Sequence, residues 1–413
     1  MNRKQFVILL VLVIVVGGAG LLLRNKQSAS WEGSNPGLGK KILVDLPIND
    51  VAHIVIKQGT NEVNLAKKEE WRVRERNDYP ANYSEISDFL IKVHDVKAAQ
   101  SQKVGSSQLP KLALVPGDGT NSALVIDFKD ANDKTLKSLL LGKKHMRKSE
   151  RPSPYGGMGD EGWPDGRYVK VAGSSDDVAL ISDAMANIEP NPAQWLNKDF
   201  FKVEKMRSVT VSFAAATNSW KLARETENGE LKLQEPKPGE QLDSAKTSAL
   251  SSPLSSPTFN DVAANAKPEQ FGLDKPTVVT LDTFDNFSYT VKVGQKTNDI
   301  FPLIVSVTAD IPKERTPGKD EKADDKTKLD KEFKDKRTKL EEKLTQEKGY
   351  EKWIYLVSSW TLDPVLKERG QLMVEKKDEK KEDKKDAKTA GLSDPAKPDE
   401  PASDPLTPTP EPK

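Results

Sequence analysis

Residue types able to do chemistry are few in this chain, and they are scattered. The three histidines, His53, His94 and His145, fall on a predicted strand, a predicted helix and a predicted loop. None has the His-Glu-x-x-His spacing that sets two imidazoles on one helix face for zinc. Cysteine is absent, which removes disulfides, thiolate nucleophiles, sulfur-ligated metals and lipid attachment to an N-terminal cysteine. No Gly-x-Ser-x-Gly elbow marks a serine nucleophile. The run Gly33-Ser34-Asn35-Pro36-Gly37-Leu38-Gly39-Lys40-Lys41 has the glycines and lysines of a phosphate-cradling loop. It lacks the spacing, the hydroxyl after lysine that holds magnesium, and a preceding strand, so it reads as a linker.

The densest group of hard oxygen donors is Asp160, Glu161 and Asp165, in the loop from Tyr155 to Gly166 beside Trp163. Calcium needs about six or more oxygens, and the Asp-x-Asp-x-Asp-Gly spacing is missing. Gly, Pro and Asp are also what exposed turns use, so a mobile insertion loop is the expectation. Paired carboxylates could hydrolyse a glycan, but nothing in the sequence selects a pair. Trp71, Trp220 and Trp353 sit on predicted strands and are expected to fill cores, with stacking on sugars the lesser reading. The sequence thus nominates no catalytic, cofactor-binding or metal-ligating residue, and the expectation is a protein that is not an enzyme.

The elements that would position such residues come next. The chain has 413 residues, 64 Lys plus Arg against 63 Asp plus Glu, and 31% charged residues. That length predicts two domains plus extensions, and the charge balance gives no field favouring nucleic acid. Phe6 to Leu23 is uncharged and follows Arg3 and Lys4. As a helix it spans about 27 Å, the short end for a bilayer core. It is longer than a signal-peptide core and Arg24 and Lys26 follow at once, so residues 1–26 read as a retained anchor rather than a cleaved signal. With only five residues ahead of the helix, the body is predicted to be extracytoplasmic.

Residues 27–41 form a linker, and strand-like alternation then appears twice, over 42–200 and 201–374. The first copy has Ile54-Val55-Ile56, Val63 to Leu65 and Trp71 to Val73, then a helix capped by Ser84 with Ile86, Phe89, Leu90 and Val93 on one face. Leu124 to Phe128, Leu136 to Leu141, Tyr168 to Val171 and Val178 to Ser182 complete it. The second copy runs from Val209 to Phe213, through Trp220 and a weaker helix over Leu242 to Leu250, to Val278–Phe284 and Tyr289–Val293. Here Trp353–Val357 is matched to Tyr168–Val171, and Leu273-Asp274-Lys275-Pro276 stands where Leu114-Val115-Pro116 stood. Trp71 to Trp220, Gly142 to Gly294 and Val55 to Val211 are 149, 152 and 156 positions apart. That near-constant step predicts a duplicated α+β module, each copy an antiparallel sheet packed with a helix. Two unrelated domains of similar strand rhythm are the alternative.

Ile311 to Glu351 interrupts the second copy with a Lys/Glu/Asp-rich helix. Asp324/Lys328, Asp330/Lys334, Glu332/Lys336 and Asp335/Lys339 are spaced for i, i+4 pairs, and Gly349 is a candidate C-cap. Its thin apolar stripe of Leu329, Phe333, Leu340 and Leu344 predicts a solvated helical hairpin arm, with a coiled-coil contact to a partner as the functional alternative. Residues 375–413 are charged and proline-rich, too poor in apolar groups to offset ordering entropy, and are expected to be disordered.

Taken together, the anchor, the Trp71 and Trp220 strands, the helix from Ser84, Trp195-Leu196-Asn197-Lys198, Phe271-Gly272-Leu273-Asp274-Lys275-Pro276 and Val291-Lys292-Val293-Gly294 carry a resemblance. Over residues 50–372 the chain resembles the bacterial domain of unknown function numbered four-three-four-zero. The arm, the tail and the incomplete Gly-Leu-Asp-x-Pro string of the first copy depart from that pattern. Members of that family are often encoded beside gliding-motility-type ABC transporter components. The resemblance therefore implies a single-pass inner-membrane protein with a periplasmic body, an accessory of an ABC-type transporter or envelope assembly complex. Membrane lipid and transporter proteins are then the expected partners, with no cofactor and no nucleic acid. A glycan-binding protein or hydrolase is the alternative.

Overall fold

A computed structural model describes residues 38–119, 121–147, 163–174, 177–265, 267–318 and 321–375. The first strands form a meander: β1 (His53–Gln58), β2 (Asn61–Lys67), β3 (Trp71–Val73) and the short β4 (Tyr79–Pro80). Helix α1 (Tyr83–Asp95) follows. Its N-cap is Asn82, not Ser84: the Asn82 carboxamide oxygen accepts from the Ser84 and Glu85 N–H groups at 3.1 and 3.3 Å. Asparagine and serine serve equally well as caps, so the apolar pattern located the helix but not its first residue. Ile86, Phe89 and Val93 are the buried face, as their spacing required.

The chain then crosses to the far edge as β5 (Ala98–Lys103) and returns to the centre as β6 (Leu124–Lys129). β7 (Thr135–Arg147), β8 (Trp163–Val171) and β9 (Asp177–Ile181) lead back to β5. All pairs are antiparallel, in the order β4-β3-β2-β1-β6-β7-β8-β9-β5.

The second sheet repeats this path. It contains β10 (Met206–Ser212), β11 (Trp220–Ala223), β12 (Lys232–Leu233), β13 (Asp261–Val262), β14 (Thr277–Thr283), β15 (Phe287–Val293), β16 (Ile300–Ala309) and β17 (Tyr355–Ser358). Its order is β12-β11-β10-β14-β15-β16-β17-β13. In both sheets the opening strand lies beside the strand that follows the far-edge crossover, and the far-edge strand closes onto the last one. A short helix, α2 (Ser244–Thr247), and a 3-10 turn (Ser248–Leu250) stand between β12 and β13, where α1 stands in the first sheet. The architecture is α+β, two antiparallel sheets with few helices.

The duplicated path extends to individual atoms. Ser106–Leu112 and Pro268–Phe271 are both 3-10 turns ending on a left-handed residue, Ala113 (φ 52°) and Gly272 (φ 67°). Each is followed by a leucine whose N–H donates five residues back, Leu114 to Leu109 O and Leu273 to Pro268 O. These turns press on Gly142 and Gly294. A Cβ there would lie 2.3 Å from Leu112 O and 2.1 Å from Phe271 O respectively, so only glycine fits.

Two of the expected equivalences change. Trp71 opens the third strand of its sheet and Trp220 the second of its own, so the shared tryptophan reflects a shared need for a large buried group. Trp353 precedes β17, which answers to β9 rather than to the Tyr168–Val171 strand. The arm therefore occupies the place of the short β8–β9 turn. Strand β7 also continues through Gly142 to Arg147, beyond the expected end.

One apolar core runs through both sheets, from Ile54, Ile56 and Phe128 to Val291, Val305 and Tyr355. A smaller cluster of Val104, Leu114, Ala123, Leu140 and Val178 covers the opposite face of the first sheet. The described residues up to Met373 form one compact unit. The anchor expected over 1–26 lies outside the described residues, as does nearly all of 375–413. Among the described residues no helix is long and apolar enough to cross a membrane.

Candidate functional site

The residues singled out for chemistry do not converge. His145 lies on β7, not in a loop, and its Nδ1 is 2.6 Å from Asp165 Oδ1 on β8. Asp160 and Glu161 lie outside the described residues. His53 is buried on β1 with Nδ1 2.6 Å from Asp133 Oδ1 and Nε2 2.9 Å from Asn64 Oδ1. Asn64 Nδ2 in turn donates to Glu62 and Glu75, at 2.7 and 2.8 Å, so this histidine ties strands together. His94 is on α1, beside Val93 of the packed face. Among the described residues no group of three His, Asp or Glu side chains is placed to hold a metal ion. Trp71 and Trp220 are buried, and Trp353 packs partly buried against the core.

What the fold does bring together is the joint between the sheets. Tyr79 of β4 meets Phe259, Trp353 and Tyr355 at ring-centroid distances of 5.9, 4.7 and 6.1 Å. Phe200, on the connecting segment, meets Phe259, Tyr350 and Tyr355 at 5.1, 5.8 and 4.5 Å. All but the tilted Phe200–Tyr355 pair are edge-on, and such pairs add about 0.5–1.5 kcal/mol each beyond burial. The connecting segment is itself stitched to the first sheet: Asn82 N–H donates to Trp195 O at 2.8 Å and Asn197 N–H to Pro80 O at 2.9 Å. Beside the rings, Arg76 clamps Asp261 of β13 with two parallel bonds of 2.7 Å. This fork-to-carboxylate geometry fixes orientation as well as distance. A cleft of about 320 Å³ opens at the joint, lined by Tyr350, Trp353, Asn197, Asp199 and Gln346 among others.

The arm, α3 (Ala323–Lys348), grows from the same joint. Its root residue Glu347 is 3% exposed. Glu347 Oε1 accepts from Lys202 N–H at 3.0 Å and Oε2 from the Tyr289 hydroxyl at 2.8 Å. Burial pushes the Glu347 carboxyl up; these bonds and Lys343 pull it down without cancelling the burial. Tyr289 also lies 3.0 Å from Lys202 O, and burial pushes its hydroxyl up too.

The arm is solvated along most of its length, as expected, but it is one helix and not a hairpin, and its C-terminal end is not free. Leu340 and Leu344 pack on the core, Lys336 reaches Asp285 at 2.6 Å and Lys343 reaches Glu204 at 2.6 Å. Among the described residues its i, i+4 pairs are Lys328–Glu332, Arg337–Glu341 and Lys343–Glu347, and Asp330 bonds Arg315 instead of Lys334. Gly349 is the C-cap, as expected, its N–H donating to Gln346 O and Glu347 O, but it keeps right-handed helical φ and ψ and continues into a 3-10 turn.

Sequence reasoning missed Glu347, Arg76 and Asp261, and also Arg167. The Arg167 guanidinium is buried on β8 and donates to the carbonyls of Gly142 and Met185, at 2.9 and 3.2 Å. Burial lowers its pKa to about 10.

Residues 157–299 match the family model described as Domain of unknown function (DUF4340). Over these residues the chain is similar to that domain. The DUF4340 segment starts ahead of β8 in the first sheet and ends in the turn after β15 in the second. It is narrower than the span over which the resemblance was read, and close to one step of the duplicated plan. It includes Trp195 to Lys198, the Phe271 to Pro276 string and Gly294. No curated protein and no solved structure matches the chain.

Proposed function

We propose that this protein is a non-enzymatic, membrane-tethered adaptor whose extracytoplasmic body serves an ABC-type transporter or envelope assembly complex. The observation that carries the reading is the joint. A body expected behind a single apolar anchor has its two sheets closed into one core, with a 26-residue charged helix rooted in that joint by a buried carboxylate. Such a construction holds surfaces in fixed relation, which is what an adaptor requires. The transporter link rests on the DUF4340 resemblance and the membrane position on Phe6 to Leu23. Protease added to intact spheroplasts should digest the body. Complete protection would overturn the extracytoplasmic placement.

A second reading, an envelope-glycan-binding protein or hydrolase, draws support from the cleft at the joint, where Trp353 and Tyr350 stand beside Asp199 and Asn197. Aromatic faces flanked by planar polar groups suit sugar rings. Titration of the full chain with envelope glycan fragments tests it. Binding lost on Trp353→Ala would favour this reading, and no binding would remove it.

A further inference from the structure

We infer that the basic cleft at the edge of the first sheet, where the chain enters the body, is a binding site for a phosphate-bearing ligand. The cleft has a volume of about 390 Å³ and is lined by Lys40, Lys41, Lys103, Lys170, Ser101 and Asp177 among others. Among the described residues the lining holds four lysines and one aspartate, in a chain whose formal net charge is only +1; Lys170 is engaged locally, its Nζ 3.5 Å from Ser174 O. Lys41 spends part of its charge on Asp95 at 3.1 Å. Lys40 and Lys103 form no ion pair among the described residues.

The geometry is fixed by backbone. Gly39 N–H donates to Ala98 O, Ala98 N–H to Lys40 O and Ile42 N–H to Val96 O, at 2.8, 2.9 and 3.1 Å. These bonds hold Lys40 and Lys41 against edge strand β5, which carries Ser101 and Lys103. Lys170 comes from β8 on the other side of β9. A concave site lined by one sign of charge focuses its field on an incoming anion. Lysine acts there as a point-charge phosphate ligand, and a phosphate monoester, with about −1.5 to −2 charges, matches the pair Lys40 and Lys103. The ligand is either lipid-borne or free in solution. The site does not depend on the adaptor reading, since a transporter partner can be absent with the cleft intact.

The test uses the full chain in nanodiscs of phosphatidylcholine, titrated calorimetrically with inorganic phosphate and glycerol 3-phosphate. A parallel arm replaces a tenth of the lipid with phosphatidate and follows Lys-to-Gln variants by hydrogen exchange at Ala98–Lys103. Binding in the first arm assigns a soluble ligand, and protection of β5 in the second alone assigns a lipid headgroup. In either case Lys103→Gln and Lys40→Gln should each weaken binding about fivefold, and Lys232→Gln, outside the cleft, should leave it unchanged. No response in either arm, or equal binding by the Lys40→Gln/Lys103→Gln double variant, would overturn the proposal.

Discussion

At the scale of single residues, Glu347 makes the sharpest prediction. Its carboxyl is raised above the ordinary value of 4.5 in the folded state. The stability it contributes is therefore present below that value and lost as pH rises through its folded pKa. Asp285 runs the other way. Burial opposes ionisation there, but the ammonium groups of Lys336 and Lys205 outweigh it and hold the carboxyl below its usual range. Its contribution is lost as pH falls. The wild-type profile mixes both signs, so the informative quantity is the difference between the wild type and Glu347→Gln. An amide at position 347 accepts from Lys202 N–H and donates to Tyr289, freeing that hydroxyl to donate to Lys202 O. Urea denaturation from about pH 4.5 to 8 should show Glu347→Gln gaining on the wild type as pH rises. Glu347→Ala, which strands the Lys202 N–H donor while the Tyr289 hydroxyl turns to Lys202 O, should lose about 1–3 kcal/mol. A Gln variant that tracks the wild type at every pH would contradict the assignment. Nothing in the sequence marked Glu347: it is one acid in a run of charges, and only Tyr289, distant along the chain, distinguishes it. Gly142 and Gly294 were legible because a steric demand that only glycine meets writes the same letter in both copies.

The elements carry the duplication. Gly142→Ala and Gly294→Ala each drive a methyl group into a backbone carbonyl that no rotamer change can move aside. Each should cost about 1–3 kcal/mol and raise hydrogen exchange in its own 3-10 turn, Ser106–Leu112 or Pro268–Phe271. An effect at only one glycine would argue that the two turns are not equivalent. Most strands and helix α1 could be read from apolar periodicity, since a half-buried strand or helix must alternate or recur in step. Pairing could not. Trp71 and Trp220 aligned by identity, yet they belong to the third and second strands, because a tryptophan records only that a position is buried. The packing of the arm's C-terminal end escaped for a related reason. Leu340 and Leu344 are sparse for a packed helix, and the ion pairs that bring them down, Lys336–Asp285 and Lys343–Glu204, join residues far apart in sequence.

For the whole molecule the joint decides behaviour. Arg76 and Asp261 are only partly buried, at 18% and 23% side-chain exposure. Solvent therefore weakens the pair, and a double-mutant cycle should return a coupling of about 1–2 kcal/mol. Because the aromatic core continues across the joint, tryptophan fluorescence and far-ultraviolet dichroism should trace one coincident urea transition. Two separated transitions would mean that the sheets fold independently. A joint of this kind was not legible in advance, since it is made by Tyr79, Phe200, Phe259, Trp353 and Tyr355, which lie in both copies and in the segment between them. The proposed adaptor role requires the body to hold transporter subunits. Affinity purification of the full chain from gently solubilised membranes, read by mass spectrometry, tests this most directly. The account predicts that ABC transporter subunits recur in a fixed ratio to the chain; repeated recovery of the chain without any transporter subunit would contradict it.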